Sequence, residues 1–350
     1  MPPLNDQTTQ RPVKLIYLGR QGSGKTGSFA SLAAAGYKLR LLDADKGIDT
    51  LQNLLLDRDH FPYYNFIQKH DIDLGQSSFI PVDQEMTLST VDRVHKDPGG
   101  RILKTTKERV LAPSNSQAWL KVTDLLQNWK DQDQDLGSVY SWGPDTICIL
   151  DTYSTMARYA YYYHQGINGR LGAIEDGFDH QRDIGGAQAW LRRLLEVLFS
   201  ASVKCNIIIV CHITWVDESR GFAQSPSEIN RAGRSSDPDG LPDAIGQALS
   251  PRMGKYFNNV FAVRSNATGD SRKIWTKPVD RVICKRSAWL EDSYDISTGL
   301  AEIFSQLNGK PLPQDFVKEL GQVSAPRATT NVTSLPSAAQ NTGRPAPLKL

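Results

Sequence analysis

No run of about eighteen apolar residues occurs in this 350-residue chain, and its opening residues form no apolar signal segment. Those absences predict a cytoplasmic protein that neither spans a membrane nor is exported. Cysteine is scarce. There are four, with no C-x-x-C spacing, which argues against a disulfide framework, a zinc site or a dithiol redox pair. Cys148, Cys211 and Cys284 lie inside apolar strand-like runs and Cys205 just before another, a placement that suits buried thiols in a reducing compartment. An excess of one charge is also lacking. At a net charge of +2 there is no global basic field, so any nucleic-acid contact has to come from local patches. No internal repeat is visible. The 39% hydrophobic and 22% charged content is ordinary and predicts a substantial core. The length suits one large α/β domain of roughly 250–300 residues with appendages, or two smaller domains.

What the chain does have is a complete G-x-x-x-x-G-K-[ST] loop: Gly19-Arg20-Gln21-Gly22-Ser23-Gly24-Lys25-Thr26. The run before it, Val13 to Leu18, has the composition of a strand, and Ser28 to Ala35 after it that of a helix stopped by Gly36. Strand, glycine loop and helix together predict a phosphate-binding site. The glycines allow consecutive N–H groups to point inward, and the helix N-terminus adds the positive end of its dipole. Gly19, Gln21, Gly22, Ser23, Gly24, Lys25, Thr26 and Gly27 are therefore the expected nucleotide-binding residues. Lys25 would reach the β/γ-phosphates and the Thr26 hydroxyl would ligate Mg²⁺. The expected cofactors are ATP and Mg²⁺.

Short apolar strands alternate with helical patterns along the chain, which predicts βαβ units and a mainly parallel sheet flanked by helices. A second strand covers 37–42 and ends at Asp43-Ala44-Asp45. Residues 57–113, with Pro62, Pro81, Pro98-Gly99-Gly100 and Pro113, read as a β-rich insertion. A helix follows, N-capped by Ser114 or Ser116, with Trp119, Leu120, Val122, Leu125, Leu126 and Trp129 at helical spacing. The polar stretch 131–135 reads as a solvated helix end and loop. Residues 146–150 are an apolar strand, and two helices are expected near 152–164 and 186–202. Further strands are expected at 207–211, 260–263 and 281–284. Residues 1–12 read as a flexible N-terminus, 13–320 as the core, and 321–350, poor in large apolar residues, as a disordered tail.

Asp151 closes the 146–150 strand. Downstream of a phosphate loop, an acid in that position is suited to hold Mg²⁺ with Thr26, although a strand-ending Asp is also a common turn cap. Asp43 and Asp45 leave two readings open. One of them polarises an attacking water, as hydrolysis requires, or both merely cap the loop and the next helix. His212 follows the 207–211 strand, where a satisfied strand-end histidine is the plain reading. Lys285 and Arg286 would face opposite sides of a strand, so at most one could serve any single site; a solvated pair is the alternative. Among Tyr159, Tyr161, Tyr162 and Tyr163, at most two could line one helix face, and packing is the simpler role.

In the order of these residues the chain resembles RecA-like ATPases, and in particular small phage-encoded RecA-core proteins that include single-strand annealing proteins and minimal recombinases. The resemblance runs from about Val13 to Ser287. It implies a RecA-like P-loop core and a catalytic acid at Asp45, where the family has Asp-Ala-Glu and this chain the shorter Asp43-Ala44-Asp45. It also implies a γ-phosphate sensor at His212 and a basic residue acting in trans at Lys285 or Arg286. Two DNA-facing loops would correspond to about 164–185 and 213–245, with Arg170, Arg220, Arg231 and Arg234 as the basic residues. Implied partners are single-stranded DNA, further copies of the chain in a ring or filament with nucleotide at their interfaces, and a single-strand-binding protein. The alternatives are a ring-shaped DNA motor of the helicase or packaging kind, and a nucleotide-gated switch that hydrolyses little.

Overall fold

The computed structural model describes residues 12–57, 62–97, 99, 101–171, 178–217, 221–223, 239–246, 248–265 and 271–321. The expected flexible N-terminus and disordered tail therefore fall, apart from Pro12 and Gly321, outside the described residues.

The chain opens with β1 (Lys14–Gly19), α1 (Lys25–Ala34) and β2 (Lys38–Asp43), then α2 (Ile48–Leu56) and α3 (Pro62–Lys69). β3 (Ser78–Pro81) is followed by a long hairpin of β4 (Met86–Lys96) and β5 (Ile102–Pro113). After α4 (Gln117–Gln127) and the small hairpin β6 (Lys130–Asp131) and β7 (Gln134–Asp135) come β8 (Thr146–Asp151), α5 (Tyr153–Ile167), α6 (Phe178–Leu198) and β9 (Asn206–Cys211). A second small sheet is built from β10 (Ile213–Asp217), β11 (Gly221–Ala223) and β12 (Asp239–Pro242). β13 (Asn259–Ser265), β14 (Arg272–Trp275) and β15 (Ser293–Asp295) complete the main sheet, and helices Gly299–Asn308 and Phe316–Leu320 follow.

The main sheet has eight strands in the order β15-β14-β13-β1-β9-β8-β2-β3. From β13 to β3 every pairing is parallel; β14 and β15 add an antiparallel edge. The alternation of strands and helices is what forces this, because a parallel neighbour can be reached only by a crossover. Both faces are covered, so the strands are apolar throughout rather than alternating. On β1, Ile16 and Leu18 pack into one core with residues of α4, α5 and α6, such as Trp119, Met156 and Leu195. Leu15 and Tyr17 face the other core, with Phe29 of α1, Leu51 of α2, Phe66 of α3 and Phe304. Helix, sheet and helix form three layers, an α/β architecture with a mainly parallel sheet.

Several boundaries differ from expectation. Of 57–113, only the β4–β5 hairpin stands apart; α3 is amphipathic and buries Tyr63, Phe66 and Ile67, and β3 joins the main sheet beside β2. Ser116 sits at the N-cap of α4 but its side chain makes no cap bond; Asn115 Oδ1 accepts from the Gln117 N–H at 3.0 Å instead. Residues 131–135 turn back on themselves through Gln132, at φ 51°, to pair β6 with β7. α6 starts eight residues before the expected position at 186. Residues 281–284 are not a strand. Val282 and Lys285 make isolated bridges, to Gly240 and Val260 respectively. All four cysteines are buried and free.

Trp129 ties the layers at the β3 edge. Its fully buried ring meets Trp142 edge-on at 5.5 Å and its Nε1–H donates to Ser78 Oγ at 2.8 Å. Trp129→Ala should lower unfolding stability by about 3–5 kcal/mol, read as a drop in urea midpoint; a change within 1 kcal/mol would contradict this packing.

Candidate functional site

β1 ends in Gly19, and the chain turns through the glycine loop into α1. Gly22 and Gly24 sit at φ 73° and 93°, in the left-handed region that glycine enters without penalty. A Cβ at Gly24 would also lie 3.0 Å from Ile296 Cδ1 and 3.1 Å from Arg272 Cδ, so the position is restricted twice over. Lys25 is buried, and its Nζ donates to the Gly19 and Arg20 carbonyls, each at 2.9 Å. Burial lowers the Lys25 pKa, opposed by the charges of Asp151 and Asp45. Ser23 Oγ is buried with no hydrogen-bond partner among the described residues.

The neighbouring strand ends bring in the rest. Thr26 Oγ1, at the start of α1, donates to Asp151 Oδ2 at 2.6 Å, although β9 lies between β1 and β8. Two strand spacings of about 4.8 Å separate β1 from β8, and the helix start spans them. Burial pushes the Asp151 carboxyl up to about 6; the charges of Asp43 and Asp45 add to the rise, while the Thr26 hydrogen bond and Lys25 oppose it. β2 pairs with β8 so that Asp43 lies beside Asp151. The Asp43 carboxylate is consumed locally, accepting from the N–H groups of Asp45 (3.1 Å) and Ile48 (2.8 Å). It is the cap of the loop into α2.

Asp45 is different. One of its oxygens accepts from the Thr155 hydroxyl, and the other lies 2.8 Å from His212 Nε2. Burial tends to raise its pKa, but the hydrogen bonds from His212 and Thr155 and the histidine's charge outweigh it and hold the carboxyl below its ordinary value. His212 is pinned in turn: its N–H donates to Ser154 Oγ (3.0 Å), Ser154 donates to the Asp243 carbonyl (2.8 Å), and the Asp243 N–H donates to the His212 carbonyl (2.8 Å).

The loop, Asp45, Asp151, Thr155 and His212 line one cleft of about 1100 Å³. Gly47, Arg158 and Arg272 also line it, and these the sequence reading missed. Gly47 is required by close approach, since a Cβ there would lie 2.8 Å from Thr26 Oγ1; its position two residues after Asp43-Ala44-Asp45 was the available signal. Arg272, on β14, hangs over Gly24 with its Nε buried and unpaired among the described residues. Nothing in its sequence neighbourhood marks it, because the antiparallel edge of the sheet is what carries it there.

Other expected site residues lie elsewhere. Lys285 Nζ donates to the Phe257 carbonyl at 2.9 Å, and Arg286 Nη1 to the Leu290 carbonyl at 2.6 Å with Asp292 nearby; neither lines the cleft of its own chain. Arg170 pairs with the buried carboxylate of Asp183, so its charge is used internally. Arg220, Arg231 and Arg234 lie outside the described residues. Tyr159 is core, donating to the Val82 carbonyl at 2.8 Å; Tyr163 packs edge-on against Trp190.

As a cation site, Thr26 and Asp151 offer one hydroxyl and one carboxylate oxygen. Among the described residues no group of three or more His, Cys, Asp or Glu side chains could hold a metal. One carboxylate and one hydroxyl suit Mg²⁺, which keeps waters and phosphate oxygens in its shell rather than a full protein cage. Among the described residues no helix is long and apolar enough to cross a membrane. No family model matches the chain, and no curated protein is similar to it.

The buried Asp151 makes a pH test possible. The unfolded chain releases this proton near pH 4 and the folded chain near 6. The native state therefore holds more protons in that window, and stability falls as pH rises through it. Asp151→Asn should exceed the wild type in stability at pH 8 by about 1–3 kcal/mol, with the gap closing toward pH 4.5. Urea midpoints without nucleotide or metal measure it, and a gap that does not change with pH would refute the assignment.

Proposed function

We propose that the cleft binds ATP with Mg²⁺ and that the chain is a RecA-like ATPase acting on single-stranded DNA in recombination or strand annealing. The observation that carries this proposal is the convergence of the glycine loop, Thr26–Asp151 and Asp45–His212 on one cleft of nucleotide size. The loop N–H groups and Lys25 would cradle the phosphates, and the unpartnered Ser23 Oγ and Arg272 Nε are donors awaiting acceptors. Thr26 and Asp151 would hold Mg²⁺, which when bound neutralises charge on the phosphates. Asp45, with its lowered pKa, stays ionised and is the acid placed to orient water.

His212 gives the cleft a route outward. It bonds Asp45 on one side and runs directly into β10 on the other, so a nucleotide that displaces the Asp45–His212 bond would move the start of the 213–245 segment. That coupling supports a nucleic-acid response to nucleotide. The same bond favours a second function, a nucleotide-gated switch, because it occupies the water-orienting acid in the resting state. Lys285 and Arg286 enter as trans-acting residues only across a subunit interface.

Three measurements bear on this. Lys25→Ala should abolish binding of a fluorescent ATP analogue, and Arg272→Ala should weaken it about 10–100-fold, the value of a hydrogen bond to charge; unchanged affinity in both would sink the assignment of the cleft. Asp45→Ala should lower steady-state ATP hydrolysis by about 10²–10⁴, whereas negligible turnover in wild type and variant alike selects the switch. Labelled single-stranded oligonucleotide should bind at low salt with ATP present. No binding with or without ATP would remove the DNA claim.

A further inference from the structure

The β4–β5 hairpin has no role in the cleft, yet it is the longest antiparallel pair in the described chain. It forms a two-stranded sheet of its own, paired from Met86↔Pro113 to Lys96↔Ile102 with one register shift between His95 and Lys96, and among the described residues it pairs with no other strand. A two-stranded ribbon is marginal in water by itself, and this one leaves Leu88, Leu111, Ile102 and Leu103 all more than half exposed. Such a ribbon is built to be covered by something else.

Its charge says what. Residues 86–113 contain six Lys or Arg and three Asp or Glu, a local net charge of +3 in a chain whose total is +2. Two of the three acids are used within the ribbon. Glu108 pairs with Arg93 at 3.4 Å, and Asp97 Oδ1 accepts the turn N–H groups of Gly99 and Arg101 at 2.9 and 2.8 Å. Only Asp92, opposite Lys107 in the register, is left over. Lys104, Lys107 and Arg109 are exposed, and among the described residues no ion pair engages them.

We propose that this ribbon is an arm that grips duplex nucleic acid through its phosphates. A strand rises about 3.4 Å per residue, and successive phosphates on one strand of a duplex advance by about 3.4 Å along the axis. Lys107 and Arg109, two residues apart on one face, therefore match alternate phosphates, with Lys104 on the opposite face toward the other groove wall. A major groove about 12 Å wide admits a two-stranded ribbon. Between Met86 and Pro113 there is no Phe, Trp or Tyr. The arm thus lacks the stacking platform that unpaired bases need, which favours duplex over single strand. The apolar Ile102 and Leu103 at the tip suit contact with base edges and sugars.

The test is fluorescence anisotropy of the full chain on a 20-base-pair duplex and on a 20-nucleotide single strand across a salt series. Replacing Lys104, Lys107 and Arg109 together by Gln should flatten the duplex plot of log K against log salt by about 2.7, or about 0.9 per lost phosphate. Single-strand affinity and binding of a fluorescent ATP analogue should be unchanged, the latter also certifying the fold. Asp92→Asn should tighten duplex binding. An unaltered slope, an equal loss on single strand, or no duplex binding by the wild type at low salt would overturn the proposal. So would a change in particle mass with duplex affinity retained, which would assign the ribbon to a second copy. Loss of single-strand binding alone would count against the proposed ATPase function and leave the arm intact.

Discussion

Parallel alignment of β1, β9, β8 and β2 is the constraint on which the site depends. Because these strands run the same way in fixed register, their ends emerge along a single rim, and Gly19, His212, Asp151 and Asp43 leave it side by side. A slip of one residue would turn each of those side chains into the opposite layer. The register is held by two cores at once, since alternate residues of every central strand are buried on opposite faces. The chemistry at the rim thus inherits its geometry from aliphatic residues that never touch it.

Crowding at that rim divides the work among like residues. Three aspartates lie within a few residues of the strand ends, and each has a different environment. Asp43 is saturated by backbone N–H groups, Asp151 is desolvated against a threonine hydroxyl, and Asp45 is held ionised by a histidine and a second threonine. Their sequence context is nearly the same, an acid after an apolar strand. Tertiary placement alone leaves one capped by backbone, one buried against a hydroxyl and one held by a histidine.

This explains how much could be read from the residues in advance. The glycine loop was legible as a loop because its motif dictates a contiguous backbone shape, and the parallel sheet because β-branched runs alternate with helical ones. Asp151 was legible by its apolar strand. The residues alone left Asp43 and Asp45 open, and only the family resemblance pointed to Asp45, since what separates them is N–H groups two and five residues on and a histidine far along the chain. Arg272 left no trace in its own neighbourhood, as an antiparallel edge strand brings it over Gly24. Residues 281–284 look like a strand by composition, but among them only Val282 makes isolated bridges, with Val282 and Cys284 buried and Ile283 exposed, so the apolar run is not part of a ladder.

Lys25 adds one more consequence. Its ammonium group is folded back onto the carbonyls of its own loop, so Lys25 itself has its partners within the loop. An anion reaching the Lys25 ammonium would have to exchange those two bonds, and its affinity would be the difference between two good states. Selectivity would then come from reach. A ligand whose anionic end extended to the ammonium would recover what it displaced, whereas a shorter one would leave the lysine parked and gain only the loop N–H groups. The loop would therefore discriminate by ligand length, using a side chain that offers no lock for the ligand's shape.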